Sequence, residues 1–316
     1  MAPRPSFDDL PLDKSGPPGN AWGLYPKNDT LGTLNLLTPE TTVAASKQII
    51  DGTRVSVDLT LGHLARPCFG RQSLKHDIWL KEGRVVHDDA LSFNTQSSSQ
   101  WDGFRHFGYQ EHGVFYNGWT SEQLLKTDEM GMQSWVDKGG IVGRGVLIDY
   151  AAWADHKGIE IKALDTTSIK VSTIKEVLAY QNTTLQPGDI VFVRSGYVRA
   201  YNAATSEKRQ ALADITVPPA IGLESSEETL RWLWDGQFAA IAGDHPSMEA
   251  WPCQDTKHWL HEWCLAGWGM PLGELFNLET LSQTCAEKKR YTFFFSSMPL
   301  NVRGGVASPP NGVAIF

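Results

Sequence analysis

Residues 172–194 read STIKEVLAYQNTTLQPGDIVFVR. The first nine place apolar residues at helical spacing, and Pro187-Gly188-Asp189 is a turn signal. The six that close the stretch, DIVFVR, form a short apolar run of the kind a buried strand needs. Upstream, residues 142–150 (VGRGVLIDY) have the same strand character. Strand and helix therefore alternate through the middle of the chain, which places it in the α/β class.

Outward from this centre the alternation continues. Thr38-Pro39-Glu40 reads as an N-cap, a first-turn proline and an early acid, opening a helix over residues 38–50. Residues 54–61 (RVSVDLTL) alternate apolar and polar as a half-buried strand does. A short helix is expected over 229–234 and a buried strand over 238–243 (FAAIAG), ending at Asp244-His245-Pro246-Ser247. Residues 258–266 read as a helix with Trp259, Trp263 and Cys264 on one face. Residues 291–295 and 313–316 read as closing strands around the Gly/Pro-rich segment 302–311. The expectation is a mixed sheet core in a single domain, residues 21–316, behind a Pro-rich flexible or surface-draped arm of residues 1–20.

The chain has 316 residues, 41% of them apolar, so it has material for a large core and is not collagen-like, coiled-coil or disordered. Lys+Arg 28 against Asp+Glu 36 gives a net charge of −8, which argues against an extended nucleic-acid surface. Its apolar runs fall far short of the roughly 18 residues of a membrane span. The N-terminal stretch has no secretory pattern. Cys68, Cys253, Cys264 and Cys285 match no zinc or CxxC spacing. Reduced, mostly buried thiols and a cytoplasmic location are expected.

Residues 92–117, SFNTQSSSQWDGFRHFGYQEHGVFYN, are the candidate site. The stretch is too polar for a core, and a solvated loop would not hold Trp101, Phe104, Phe107, Phe115 and Tyr116. Aromatic walls around a few convergent polar groups make a small-molecule pocket. Asp102 and His106 stand four apart, a spacing that lets them share a divalent ion or a proton, or simply hold a loop by a hydrogen bond. Asp88-Asp89 reads as a solvated pair or turn, with a pocket rim as the other reading, and His245 as a structural partner of Asp244. Among the twelve tryptophans, Trp101 and Trp119 are the pocket candidates. Ser97–Ser99 lack the glycine-flanked turn a serine nucleophile needs.

Segment 96–107 resembles the signature of the cyclase family that includes bacterial kynurenine formamidase and isatin hydrolase, His-x-Gly-Thr-His-x-Asp-x-Pro-x-His-Phe. The Asp falls on Asp102, the last His on His106 and the Phe on Phe107, while Gln96 and Gln100 stand where the two early His would be. Gln100-Trp101-Asp102, His106 and Tyr116-Asn117-Gly118 are similar to a longer cyclase subfamily. The strands at 143–149 and 187–194, the turn at Asp244 and Ser247, the late pair His261 and Glu274, and Met298-Pro299-Leu300 with Gly304-Gly305 extend the likeness over nearly the whole chain.

The resemblance implies the swivelling β/β/α fold and a homodimer or homotetramer. It implies His106, Asp102 and Gln100 as catalytic residues, with Gln100 donating to a carbonyl oxygen. Gln96, Trp101, Phe104, Phe107, Tyr116, Asn117 and Trp119 would bind substrate. Asp102, His106, His261 and Glu274 would hold one divalent ion, Zn or Mn, although two amides in place of two imidazoles weaken a zinc site and leave metal-free acid–base chemistry equally open. The implied activity is hydrolysis or formation of a C–N or C–O bond in a cyclic or aromatic amide or lactone. A metal-free cyclase or dehydratase of natural-product metabolism and a catalytically inactive small-molecule-binding homologue are the alternatives.

Overall fold

The computed structural model describes residues 4–64 and 66–316. In chain order its strands begin with β1 (Arg54–Ser56), β2 (Lys75–Leu80), β3 (His87–Ser92) and β4 (Gln100–Asp102). β5 (Ile141–Ile148), β6 (Ser168–Ile169), β7 (Ile190–Val193) and β8 (Gly222–Leu223) follow. The last are β9 (Ala240–Gly243), β10 (Leu272–Glu274), β11 (Thr292–Ser297), β12 (Ala307–Ser308) and β13 (Gly312–Ile315).

Nine of them form one mixed sheet in the order β1-β13-β11-β5-β7-β9-β10-β4-β12. The centre, β5-β7-β9-β10, is parallel, and both flanks are antiparallel. Every residue of β7 is buried, as expected of an apolar run at the middle of a covered sheet. Helix Val171–Tyr180 precedes it and buries Val171, Ile174 and Val177. Phe192 of β7 packs on Phe295, Phe276 and Phe293 at ring distances of 4.8, 5.7 and 5.7 Å. Each such ring contributes about 1.5–3 kcal/mol by leaving water.

Several expected boundaries move. The first helix spans Pro39–Ser46, capped by Thr38, and stops before Ile49 and Ile50, which are exposed. The strand expected over 54–61 is only Arg54–Ser56, because the chain leaves the sheet and Leu59 N donates to Ser99 Oγ at 2.6 Å. The helix expected over 258–266 is instead a 3-10 turn, Thr256–His258, followed by a π-helix, Glu262–Trp268. An isolated hairpin, β2-β3, was not anticipated; Asp88 and Asp89 lie on it, ion-paired to Lys81 and His76, so they are neither a turn nor part of the pocket wall described below.

The described part of the N-terminal arm drapes over the body of the molecule and docks on it. Phe7 is buried, stacks on Trp263 at 5.8 Å and its N–H donates to Asp235 at 3.0 Å. Arg4 lies 3.8 Å over the Trp234 ring. Trp268 donates to Gly19 O at 2.9 Å, Ala21 N to Gly267 O at 2.9 Å and Trp22 to Ala266 O at 2.8 Å. These three bonds satisfy or engage main-chain and indole groups of the π-helix, so the end of the arm and the two residues that follow it clamp the segment after His261. Among the described residues no helix is long and apolar enough to cross a membrane. All four cysteines are free thiols, three of them buried.

Candidate active site

β4 is three residues long, Gln100-Trp101-Asp102, and side chains alternate along a strand. Gln100 and Asp102 therefore share one face and Trp101 takes the other. Antiparallel register with β10 sets Glu274 opposite Gln100 and Leu272 opposite Asp102, which adds Glu274 to the polar face. Gln100 Nε2 donates to Glu274 Oε2 at 2.7 Å across this pair. Trp101 runs into the core instead, where its Nε1 donates to Ser297 Oγ at 3.0 Å and its ring meets Phe276 at 5.1 Å. Gly273, opposite Trp101, has to be glycine, since a Cβ there would lie 2.8 Å from the indole.

After Asp102 the chain turns, with His106 N donating to Gly103 O at 2.9 Å. The turn brings His106 Nε2 to 3.8 Å from Asp102 Oδ2. Gln96 Nε2 lies 2.8 Å from Asp102 Oδ1 and 3.1 Å from His106 Nε2. One amide nitrogen has two hydrogens, so it donates to both, which makes His106 Nε2 an acceptor and puts the ring proton on Nδ1. His261 enters from the start of the π-helix. Its Nδ1 lies 2.8 and 2.9 Å from the two oxygens of Glu249, and its Nε2 lies 3.1 Å from Glu274 Oε1. Glu249 also accepts from Trp259 Nε1 at 2.8 Å, and Glu274 from Met248 N at 3.0 Å.

Burial drives His106 down to about 4, with Asp102 opposing and His261 and Arg71 adding to the shift. Burial also works against a charged His261, but Glu249 and Glu274 outweigh it and hold the ring protonated well above the ordinary range. Glu249 is buried yet stays low through His261. Burial and the neighbouring Asp102 push Glu274 up.

His106, His261 and Glu274 floor a cavity of about 190 Å³, with Asp102 and Glu249 buried behind them; its apolar walls are Phe69, Phe107, Trp251 and Trp259, with Arg71 half-buried beside them. Larger hollows exist, such as one of about 590 Å³ along Asp128, Asp137 and Arg303, but that one holds no imidazole.

Gln96, Gln100, Asp102, His106, His261 and Glu274 thus converge. The aromatic set expected around them does not, apart from Phe107. Phe104 is wholly buried against Tyr116 and Trp135, at 5.1 and 5.4 Å. Tyr116 donates to Asp29 at 3.2 Å, and Asn117, at a left-handed φ of 55°, donates to Asp29 O at 3.3 Å. Trp119 packs half-buried on the same core. These residues and Trp101 brace the shell behind the site and none lines the cavity. Gln100 is also fully buried, donates to Glu274 and does not line the cavity where a carbonyl would bind.

Asp244 accepts from Ser195 and Gly196 main-chain N–H groups, and His245 pairs with Ser247 O at 2.6 Å, both outside the cavity wall. Reading the sequence missed Glu249, Arg71, Phe69 and Trp251. Glu249 stands in the run DHPSME just after β9, and an acid beside that turn was the available signal. Arg71 left no signal.

One divalent ion fits the donor set. Ligand atoms of Asp102, His106 and His261 lie within 4.8 Å of one another, and buried Asp102 Oδ2 has no hydrogen-bond partner. His261, with a carboxylate on Nδ1 and Nε2 turned inward, has the arrangement that orients metal-ligating imidazoles.

A family model described as "Putative cyclase" matches residues 39–250. A solved structure described as a novel cyclase is 27% identical, with a TM-score of 0.82, over 94% of this chain and 99% of its own. Isatin hydrolase A from Labrenzia aggregata, bound to benzyl benzoate, is 15% identical with a TM-score of 0.58, over 89% of this chain and 98% of its own. Isatin hydrolase A from Ralstonia solanacearum is 15% identical with a TM-score of 0.60, over 88% and 98%. They share the fold, a mixed α/β architecture around a large curled sheet. No curated protein matches the chain.

Proposed function

We propose, for a chain that belongs to the cyclase family and is an enzyme of the hydrolase or cyclase type, that it opens a C–N or C–O bond in a small cyclic or aromatic amide or lactone. The observation that carries this is the neutral His106 at the floor of an aromatic cavity, its Nε2 accepting from Gln96 at 3.1 Å and standing 3.8 Å from Asp102. His106 takes a proton from water, whose oxygen attacks the carbonyl carbon. The ring then returns the proton to the nitrogen or oxygen that leaves as the C–N or C–O bond breaks. Asp102, buried beside it, stabilises the imidazolium formed between the two steps. His261, already charged, lays positive charge next to the oxyanion.

Asp102, His106, His261 and Glu274 would hold one divalent ion, Zn or Mn. Such an ion, when bound, polarises a carbonyl and makes water more acidic. A metal-free reading is favoured by Gln96, whose amide hydrogens already bridge Asp102 and His106. The reverse cyclisation, or a dehydration, would use the same proton transfer. The exposed hairpin β2-β3, which leaves Ile78, Trp79, Leu80 and Leu91 at the surface among its charged residues, supports a homodimer or homotetramer.

The test is turnover of a panel of cyclic aromatic amides and lactones, isatin first, by protein treated with chelator and by the same protein resupplied with Mn or Zn. Ring opening in either sample supports the reading. Turnover of no member in any sample would leave a small-molecule-binding homologue.

A further inference from the structure

We infer that the substrate carries a carboxylate, or an equivalent anion, on its ring and that the Arg71 guanidinium holds it; this rests on the hydrolase reading of the same cavity. Arg71 lines the cavity half-buried. Its Nη1 donates to Gln96 O at 3.0 Å, and its Cζ lies 5.0 Å over the Phe69 ring. Both contacts fix the fork without neutralising it. Arg144, Arg194, Arg199 and Arg231 each pair with an acid, whereas Arg71 has no ion pair among the described residues. A guanidinium has five N–H donors, and most of these remain uncommitted.

The other cation in the cavity, His261, has both ring nitrogens engaged by Glu249 and Glu274. His106 Nε2 is engaged by the Gln96 amide at 3.1 Å. A planar fork with donors to spare is matched by a carboxylate, which accepts two parallel N–H bonds. The remaining walls are rings, Phe69, Phe107, Trp251 and Trp259, which suit the flat body of an aromatic acid. The volume of about 190 Å³ is below that of drug-sized sites and suits a compound of one or two small rings. Glu274 lines the floor and Asp102 lies buried beneath it, so the anion is bound with its charged end at Arg71, away from these acids, and its reacting carbonyl toward His106.

The probes are benzoate and its neutral isostere benzamide, titrated into the wild-type protein, Arg71→Gln and Arg71→Lys by calorimetry or ligand-observed NMR. Benzoate is expected to bind the wild type more tightly than benzamide and to weaken with added salt. Arg71→Gln should weaken benzoate by about 10–100-fold, the loss of a charge-assisted bidentate contact, and leave benzamide within about twofold. Arg71→Lys, which keeps the charge but not the fork, should fall between. A wild type with no preference for benzoate overturns the inference. So does an Arg71→Gln protein, melting as the wild type does, that binds both probes unchanged or loses both equally; Arg71 would then only offset the acidic floor. Benzoate binding through Arg71 in a protein that turns over no amide or lactone would sink the hydrolase reading and leave the anion site standing.

Discussion

His106 and His261 are two imidazoles with ring centres 6.2 Å apart, in one cavity, held in opposite proton states. His261 is buried and His106 largely so, and burial alone would make both neutral. His106 sits on a turn just past a sheet strand, with a carboxylate at 3.8 Å and an amide donating to its Nε2. His261 sits where a π-helix begins, between two carboxylates at hydrogen-bond distance. The difference is the number of acids in contact, and it divides the labour: one ring is neutral and accepts a proton once its Nε2 exchanges the Gln96 contact for water, the other holds a proton between its two acids.

The largest expected effect comes from removing the accepting ring. His106→Ala should lower turnover by about 10²–10⁴-fold with melting little changed, once a substrate is in hand. Asp102→Asn is the companion measurement. If an ion is bound, elemental analysis should show it lost along with activity, because Asp102 is the carboxylate grouped with the two imidazoles. If none is bound, activity should fall with metal content unchanged, since an amide hydrogen-bonds an imidazole without stabilising its protonated form. Wild-type turnover by His106→Ala would erase the functional contrast between the two rings.

A smaller effect is expected from Glu249→Gln, which changes a partner of the charged ring and not of His106; Glu249 also accepts from Trp259 and Ser247. The change keeps the shape and removes one of the two acids that hold His261 protonated. Turnover should drop about 10–100-fold, as for other carboxylates that orient a site imidazole. The NMR titration of His261 should move toward the ordinary histidine range, while that of His106 rises slightly because a positive neighbour has weakened. An unmoved His261 would show that Glu274 alone sets its charge.

How much of this contrast the sequence exposes depends on separation along the chain. Asp102 and His106 are four residues apart, and their pairing is readable from spacing. The central strand at 189–194 is readable too, because a buried parallel strand is a continuous apolar run. Trp101 was misassigned because residues 92–117 read as one loop; the period-two alternation of a strand only three residues long sends it away from Asp102. His261 was reachable by resemblance alone. The π-helix after it has no sequence pattern of its own and is held by the end of the N-terminal arm and the two residues that follow it, through Gly19, Ala21 and Trp22, more than 240 residues earlier. Glu249 and Arg71 matter through contacts that no local pattern encodes.

The finest expected effect is on stability against pH, where the two rings should pull in opposite directions. His106 has a folded value of about 4, below the unfolded value near 6.5. Between those values the unfolded chain binds the extra proton, so this ring makes the protein less stable as pH falls. His261 is raised, so its contribution is fully present below about 6.5 and is lost only as pH rises through its folded value. In the metal-free wild type the two slopes partly cancel on acidification from pH 7. In metal-free His106→Ala the destabilising slope is gone and the stabilising one stands alone. The stability difference, variant minus wild type, should therefore grow by about 1 kcal/mol between pH 7 and pH 5.5, measured by urea unfolding at each pH. Glu274 and Asp189, which are also raised, titrate in both proteins and drop out of the difference. A difference that is flat with pH would mean that His106 titrates as it does in water and is not the buried neutral base the geometry describes.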